Sequence, residues 1–266
     1  MTLRLTKHHG LGNDFLVALV SRNQQLTPDA KRAVALCDRR TGIGADGLLW
    51  GLEPDADGAD LRMVLHNADG SEAEISGNGI RCLAQAWVMD RGTTSGSITI
   101  DTPGGRRHLE LSPTEDPLTA SVVVDMGAVT AGPAEPADLD GVSGRHETLS
   151  IGNPHLVAEV PSVADVDIAS LGPSVEARFP GGINVHALEG IDRGTIRLAH
   201  WERGAGVTLA CGSGASVAVV AATRWGLVDP DREVLVEMPG GTASVRVGAT
   251  VHLRGPATYV GEVIVP

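Results

Sequence analysis

Aromatic residues are nearly missing from this chain: they make up 3% of its 266 positions, with one Tyr and two Phe. A core must therefore be assembled from Val, Leu, Ile and Ala, and a hydrophobic content of 42% supplies enough of them. Cysteine is scarce as well. Cys37, Cys82 and Cys211 are odd in number and form no C-x-x-C pair, which argues against a disulfide framework and fits a reducing cytoplasm. Positive charge is in deficit: the net charge is −12 and no Lys/Arg stripe is present, so nucleic acid is not an expected partner. No apolar run approaches the ~18 residues that suggest a membrane span. His8, His9, Asn13 and Asp14 break up the segment where a signal peptide would need an apolar centre.

Several familiar sites are missing too. There is no G-K-[ST] phosphate loop. Gly42–Gly47 spells G-x-G-x-x-G but lies after a helical pattern and before a strand, the reverse of the dinucleotide-binding order. His8-His9 is an adjacent pair with no acidic or thiol partner at ligand spacing. Ser213 and Ser216 lack the G-x-S-x-G elbow of a serine hydrolase. The expectation is a soluble, cytoplasmic protein with no metal and no organic cofactor.

What is abundant is glycine, at 34 residues, together with 15 prolines, as in a strand-rich fold with many tight turns. Strand patterns occur at Leu3–Thr6, Phe15–Val20, Leu48–Leu52, Leu61–His66, Ser97–Ile100, Arg107–Leu111 and Ala120–Asp125. After a Gly/Pro/Ala-rich linker at Gly127–Gly144, they resume at Glu147–Ile151, His155–Val160, Ile183–Leu188, Thr195–Trp201, Val234–Glu237, Thr242–Val247, Val251–Arg254 and Tyr259–Val265. Helices are predicted over Pro28–Arg39 with Thr27 as cap, Asn78–Asp90 and Ser213–Trp225. The second half echoes the first. Gly12-Asn13-Asp14-Phe15-Leu16-Val17-Ala18 returns as Gly152-Asn153-Pro154-His155-Leu156-Val157-Ala158. Ser76-Gly77-Asn78-Gly79 returns as Cys211-Gly212-Ser213-Gly214, and Pro103-Gly104-Gly105 as Pro239-Gly240-Gly241. The offsets, 140, 135 and 136, are nearly one value and the order is kept. The chain is thus expected to be a mixed α/β protein of two pseudo-symmetric domains, each a curled, mostly antiparallel sheet around a central helix. The expected boundaries are 1–117, joined by the C-terminal strand 256–266, and 118–255.

Ser76 and Cys211 hold the same place in the repeat, just before a helix begins. The first turn of a helix has N–H groups without internal partners and a partial positive charge, so it binds a carboxylate and lowers the pKa of a nearby thiol. Glycines at 77, 79, 212 and 214 leave the backbone open to approach. Two such starts facing each other can hold one α-carboxylate, with residues 76 and 211 on opposite faces of the α-carbon. One removes the proton and the other returns one, a two-base epimerisation that needs no pyridoxal cofactor. An isolated cysteine is ordinarily a packing residue, and Cys37 and Cys82, inside helical patterns, are read that way. Cys211 differs because it opens C-G-S-G and follows Glu202-Arg203.

At this point the motifs resemble a known family. His9-Gly10-Leu11-Gly12-Asn13-Asp14-Phe15, Gly42-Ile43-Gly44-Ala45-Asp46-Gly47, Asn67-Ala68-Asp69-Gly70-Ser71-Glu72 and Gly77-Asn78-Gly79-Ile80-Arg81-Cys82 look like the signatures of diaminopimelate epimerase. So do Gly152-Asn153-Pro154-His155, Asn184-Val185, Glu202-Arg203-Gly204 and Ala210-Cys211-Gly212-Ser213-Gly214-Ala215. The resemblance implies interconversion of LL- and meso-diaminopimelate, on the route to lysine and peptidoglycan. It makes Cys211 one acid/base residue and assigns Gly77, Asn78, Gly212 and Ser213 to the reacting amino-acid end. Asn13, Asn67, Asn153, Asn184, Glu202 and Arg203 fall at the other substrate-contacting positions. His155, with Glu202, joins the catalytic set as a residue shaping the site, and Tyr259 lies near a family tyrosine at the contact of a homodimer. The partner implied is a small amino-acid substrate.

One departure stands out. The family's first catalytic position is a cysteine, and here it is Ser76, a far weaker acid with no activating base evident in the sequence. Three readings are open: a residue introduced to block turnover or disulfide pairing, a natural variant with some activity, or a shift to one-base elimination as in dehydratases of the related proline racemase group. The reading preferred from sequence is a site intact in shape and impaired in rate. Val207, where the family commonly has glutamate, carries little weight. A related racemase or dehydratase with another substrate, and a catalytically silent amino-acid-binding homologue, are the alternatives.

Overall fold

The structure is a computed structural model that describes residues 2–136, 139, 141–142 and 144–266. Ala137, Asp138, Asp140 and Ser143 of the expected linker lie outside the described residues. The chain divides into two compact units, residues 1–124 with 255–266, and residues 125–254.

The first unit begins with β1 (Leu3–Gly10) and β2 (Asn13–Leu19), joined by a two-residue turn in which Leu11 and Gly12 have φ of 55° and 83°. Left-handed residues at both turn positions match the right-handed twist of a hairpin. There follow α1 (Ala30–Cys37), β3 (Gly47–Leu52), β4 (Leu61–Asn67), the short β5 (Glu72–Ala73) and α2 (Gly77–Asp90). Then come β6 (Gly96–Thr102), β7 (Gly105–Pro113) and β8 (Thr119–Asp125). The pairings run β1–β2–β3–β4–β6–β7–β8, and the C-terminal strand pairs with both β8 and β1, so the ring of strands is closed. A closed ring leaves no exposed edge. Two of its pairings, β2–β3 and β4–β6, are parallel.

Helix α2 packs on β1, β2, β3 and β7, and its residues Gly77–Ala86 and Val88 are buried. On the other face of β2 and β3, Leu16, Ala18, Leu48 and Trp50 pack with Ala33 and Cys37 of α1. These two strands are therefore covered on both sides, which is why they read as continuous apolar runs and do not alternate.

The second unit contains β9 (Thr130–Ala131), β10 (His146–Ser150), β11 (Pro154–Glu159), α3 (Ile168–Glu176), β12 (Asn184–Asp192) and β13 (Thr195–Glu202). It continues with β14 (Gly206–Val207), α4 (Gly212–Arg224), β15 (Glu233–Met238), β16 (Gly241–Val247) and the start of β17 (Val251–Val265). Its pairings run β9–β10–β11–β12–β13–β15–β16–β17, with β11–β12 and β13–β15 parallel. Met126 and Gly127 hydrogen-bond Val251, joining the segment before β9 to the last strand. Residues Gly212–Ala222 of α4 are buried, and Leu156, Val175, Phe179, Ile183 and Val185 form a second cluster against α3.

Three local expectations are corrected. Helix α1 starts later than Pro28, because the Asp29 carboxylate accepts from the N–H groups of Lys31 and Arg32 and outcompetes Thr27 as cap. Helix α3 is not in the sequence pattern, since Gly172 and Pro173 interrupt it; Gly172 is needed because an added Cβ would lie 2.3 Å from Trp201 Cγ. The strands expected at Val251–Arg254 and Tyr259–Val265 are one, β17, running through Gly255-Pro256.

Candidate active site

Each unit places one candidate acid/base residue at the start of its buried helix. In the first, Ser76 is the N-cap of α2: its Oγ accepts from the N–H of Gly79 at 3.0 Å. Behind it lies a polar chain. The Arg81 guanidinium donates to the Gly77 carbonyl at 2.9 Å and to Asn78 Oδ1 at 2.6 Å. Asn78 Nδ2 donates to Asn13 Oδ1 at 3.1 Å, and Asn13 Nδ2 donates to the Asp46 carboxylate at 2.7 Å. Arg81 is 1% exposed. Burial lowers its pKa to about 10, still charged at neutral pH. Asn67, at the end of β4, instead donates to Ser71 Oγ at 3.0 Å. Sequence pattern alone does not single out Arg81 or Asp46, although both sit inside diaminopimelate epimerase-like motifs.

In the second unit Cys211 is the N-cap of α4, its sulfur accepting from the N–H of Gly214 at 3.4 Å and lying 3.7 Å from Ser213 Oγ. Burial, and then the charge of Glu202, push the thiol pKa well above its ordinary value. This runs against the expected lowering by the helix start, because desolvation of the sulfur outweighs the N–H bond. The Thr208 hydroxyl donates to Glu202. Asn184 Oδ1 accepts from the Arg203 N–H at 3.0 Å while its Nδ2 donates to the Pro154 carbonyl at 2.8 Å. Arg203 also reaches the Gly181 carbonyl at 3.2 Å and borders an open recess of about 520 Å³ shared with Pro154, Arg178 and Phe179.

His155 is fully buried, bonded to Asn153 Oδ1 at 2.8 Å and to His186 Nε2 at 2.9 Å. Burial, aided by the Arg203 charge, lowers its pKa to about 3, so the ring is neutral and does not exchange protons near neutrality. His186 and His200, buried beside it, were not expected from the sequence. No sequence signal marks them; only the strand registers match them to Leu49 and Leu65 of the first unit.

Among the described residues no group of three or more His, Cys, Asp or Glu side chains is placed to hold a metal ion, and no helix is long and apolar enough to cross a membrane.

Comparison with known proteins identifies relatives over the whole length. Curated diaminopimelate epimerases of Stutzerimonas stutzeri and Azotobacter vinelandii are each 41% identical over 280 aligned residues, covering 98% of this chain and 98% of theirs. Among solved structures, a hydroxyproline epimerase from Agrobacterium vitis superposes with a TM-score of 0.76 at 15% identity, covering 99% of this chain and 92% of that one. A phenazine biosynthesis protein of Bacillus anthracis gives 0.71 at 18% identity, covering 100% and 99%. Both show the same mixed α/β, sheet-dominated fold. With the diaminopimelate epimerase family model matching residues 5–131 and 148–260, the chain belongs to the diaminopimelate epimerase family.

Proposed function

We propose that this chain epimerises LL-diaminopimelate to the meso isomer, without organic cofactor or metal, as a cytoplasmic homodimer serving lysine and peptidoglycan precursor synthesis. The observation that carries the reading is the pair of equivalent caps, Ser76 on α2 and Cys211 on α4, each opening a buried helix whose first residues are glycine or small. The two units are read as pseudo-symmetric copies. Each helix start offers N–H groups to an α-carboxylate and to the charge that spreads onto it when the α-proton leaves, those of Gly77 and Asn78 on α2 and those of Gly212 and Ser213 on α4. Asn13, Asn67, Asn153, Asn184, Glu202 and Arg203 hold the rest of the zwitterion, the recess beside Arg203 taking the distal end. Tyr259 is assigned to the dimer contact.

The proton traffic is unequal. Cys211 rests as a thiol. To act as base it must pass its proton to Glu202; to act as acid it donates directly to the α-carbanion. Ser76 holds the repeat position equivalent to Cys211 and is read as the second acid/base group; its hydroxyl is too weak an acid to yield a proton readily and too weak a base to take one, so turnover is slow in this chain. The same observation supports two other readings, a binding protein and a one-base dehydratase. Incubation with diaminopimelate in deuterated water separates them. Epimerisation with deuterium at the α-carbon is expected; loss of water or ammonia, or binding with no exchange, defeats the proposal.

A further inference from the structure

Under the start of α4 the second unit places histidine where the first places hydrocarbon. In the first unit, Phe15 on β2, Leu49 on β3 and Leu65 on β4 are all buried, with Leu49 opposite Leu65 in register. Leu49 Cδ2 would lie 3.4 Å from a Cβ on Gly79. In the second unit the matching positions are His155 on β11, His186 on β12 and His200 on β13, again with 186 opposite 200. His186 Cε1 would lie 2.2 Å from a Cβ on Gly214, so the ring is pressed against the first turn of α4. Three polar rings in a site that hydrocarbon can fill are a cost to folding unless they do something there.

The hydrogen bonds say what for His155 and His186, while His200 packs its ring on His186. The Asn153 amide stands with Oδ1 toward His155 Nε2, at 2.8 Å. An amide oxygen only accepts, so His155 Nε2 carries the hydrogen and donates. The ring is neutral, so its Nδ1 is a bare acceptor and receives the Nε2–H of His186 at 2.9 Å. His186, also neutral, then has a bare Nδ1, which has no hydrogen-bond partner among the described residues. The reversed arrangement would put a hydrogen on that Nδ1, buried without an acceptor and beside the positive end of α4. The partial positive charge of a helix start favours a lone pair over an N–H there. The direction of the whole chain is thus fixed at His186: α4 keeps Nδ1 bare, His186 donates to His155, and His155 donates to Asn153. With Oδ1 held, Asn153 Nδ2 points away from the ring, and among the described residues it has no partner.

We propose that His186 is a positioning residue: it sets the tautomer of His155 and thereby presents the N–H side of the Asn153 amide to an anionic group of the substrate. The role rests on the proposed substrate site. Without His186 the Asn153 amide is free to flip and offer its oxygen, which repels a carboxylate.

Two measurements test it. Nitrogen-15 NMR of the histidine rings, with His155 signals assigned by their loss in His155→Gln, is expected to give one neutral tautomer, Nε2–H, for His155 between pH 6 and 8. Calorimetry with diaminopimelate is expected to show affinity weakened about tenfold in His186→Leu, the scale of one hydrogen bond to a charged group. His186→Gln, whose amide N–H can still donate to His155 Nδ1, should recover it to within a few-fold. An Nδ1–H tautomer in the unaltered protein overturns the proposal, as does equal binding by the Leu and Gln variants. Failure of the unaltered protein to bind diaminopimelate, with the Nε2–H tautomer observed, counts against the substrate and supports the tautomer assignment.

Discussion

The Cys211 thiol lies buried beside the Glu202 carboxylate, and burial first, the carboxylate second, hold it in the protonated form. The other two cysteines are also buried, with pKa pushed to about 11 for Cys37 and about 12 for Cys82, by burial above all.

This has a consequence for reactivity and for alkaline stability. In the unfolded chain each thiol ionises near 8.5; in the folded chain each keeps its proton to higher pH. The folded state therefore binds more protons above that value, and its stability is lost as pH rises beyond about 8.5. Ellman's reagent at pH 8 is expected to react slowly with the native protein and to find three thiols after denaturation. A rapid stoichiometric reaction at Cys211 would show the sulfur to be an exposed thiolate.

Acid stability runs the other way. Burial lowers the pKa of His8 to about 4, His155 to about 3 and His200 to about 4, with His186 also depressed. Unfolded histidines take protons near 6.5, so the unfolded state binds more protons below that value. Stability present at pH 7 is lost progressively as pH falls from about 6.5 toward 3. Urea midpoints measured from pH 7 down to 5 should fall steadily; a midpoint flat over that interval would mean that these rings ionise inside the fold.

Ser76 has two separable roles. As N-cap it bonds the Gly79 N–H, and Ser76→Ala should cost about 1 kcal/mol in unfolding free energy. As the second acid/base position it is deficient, and Ser76→Cys should raise the epimerisation rate by ~10²-fold or more, with diaminopimelate affinity little changed. If the cysteine leaves the rate the same or lower, the serine is no impaired base and the reaction differs from the one proposed.

The contact between Gly214 and His186 predicts a non-additive pair. A methyl at 214 meets the ring at 2.2 Å, well inside contact distance, so Gly214→Ala should destabilise by about 1–3 kcal/mol. Placed on a His186→Ala background, the same change should cost much less, a coupling visible in a double-mutant cycle of denaturant unfolding. Simple additivity would place the two side chains apart.

The sequence by itself determined the mixed α/β class, the order of the longer strands and of α1, α2 and α4, and the repeat that pairs Ser76 with Cys211, because each is written in local pattern. Period-two and apolar runs mark strands, i+3/i+4 spacing marks α2 and α4, and the glycines flanking residues 76 and 211 mark helix starts. The motifs also carried the family. What sequence left open was decided by long-range contact. Helix α3 forms across Gly172-Pro173 because it packs on Trp201, 29 positions downstream of Gly172, and no local preference encodes that. The ionisation of Cys211 runs opposite to the local expectation because a helix start alone lowers a thiol pKa, while the dry surroundings and Glu202 that raise it are supplied by other elements of the fold. His186 and His200 lie in strand patterns where any buried residue satisfies the periodicity. Only the tertiary structure, with 186 opposite 200 in register and hydrogen-bonded to 155, gathers three scattered histidines beneath α4.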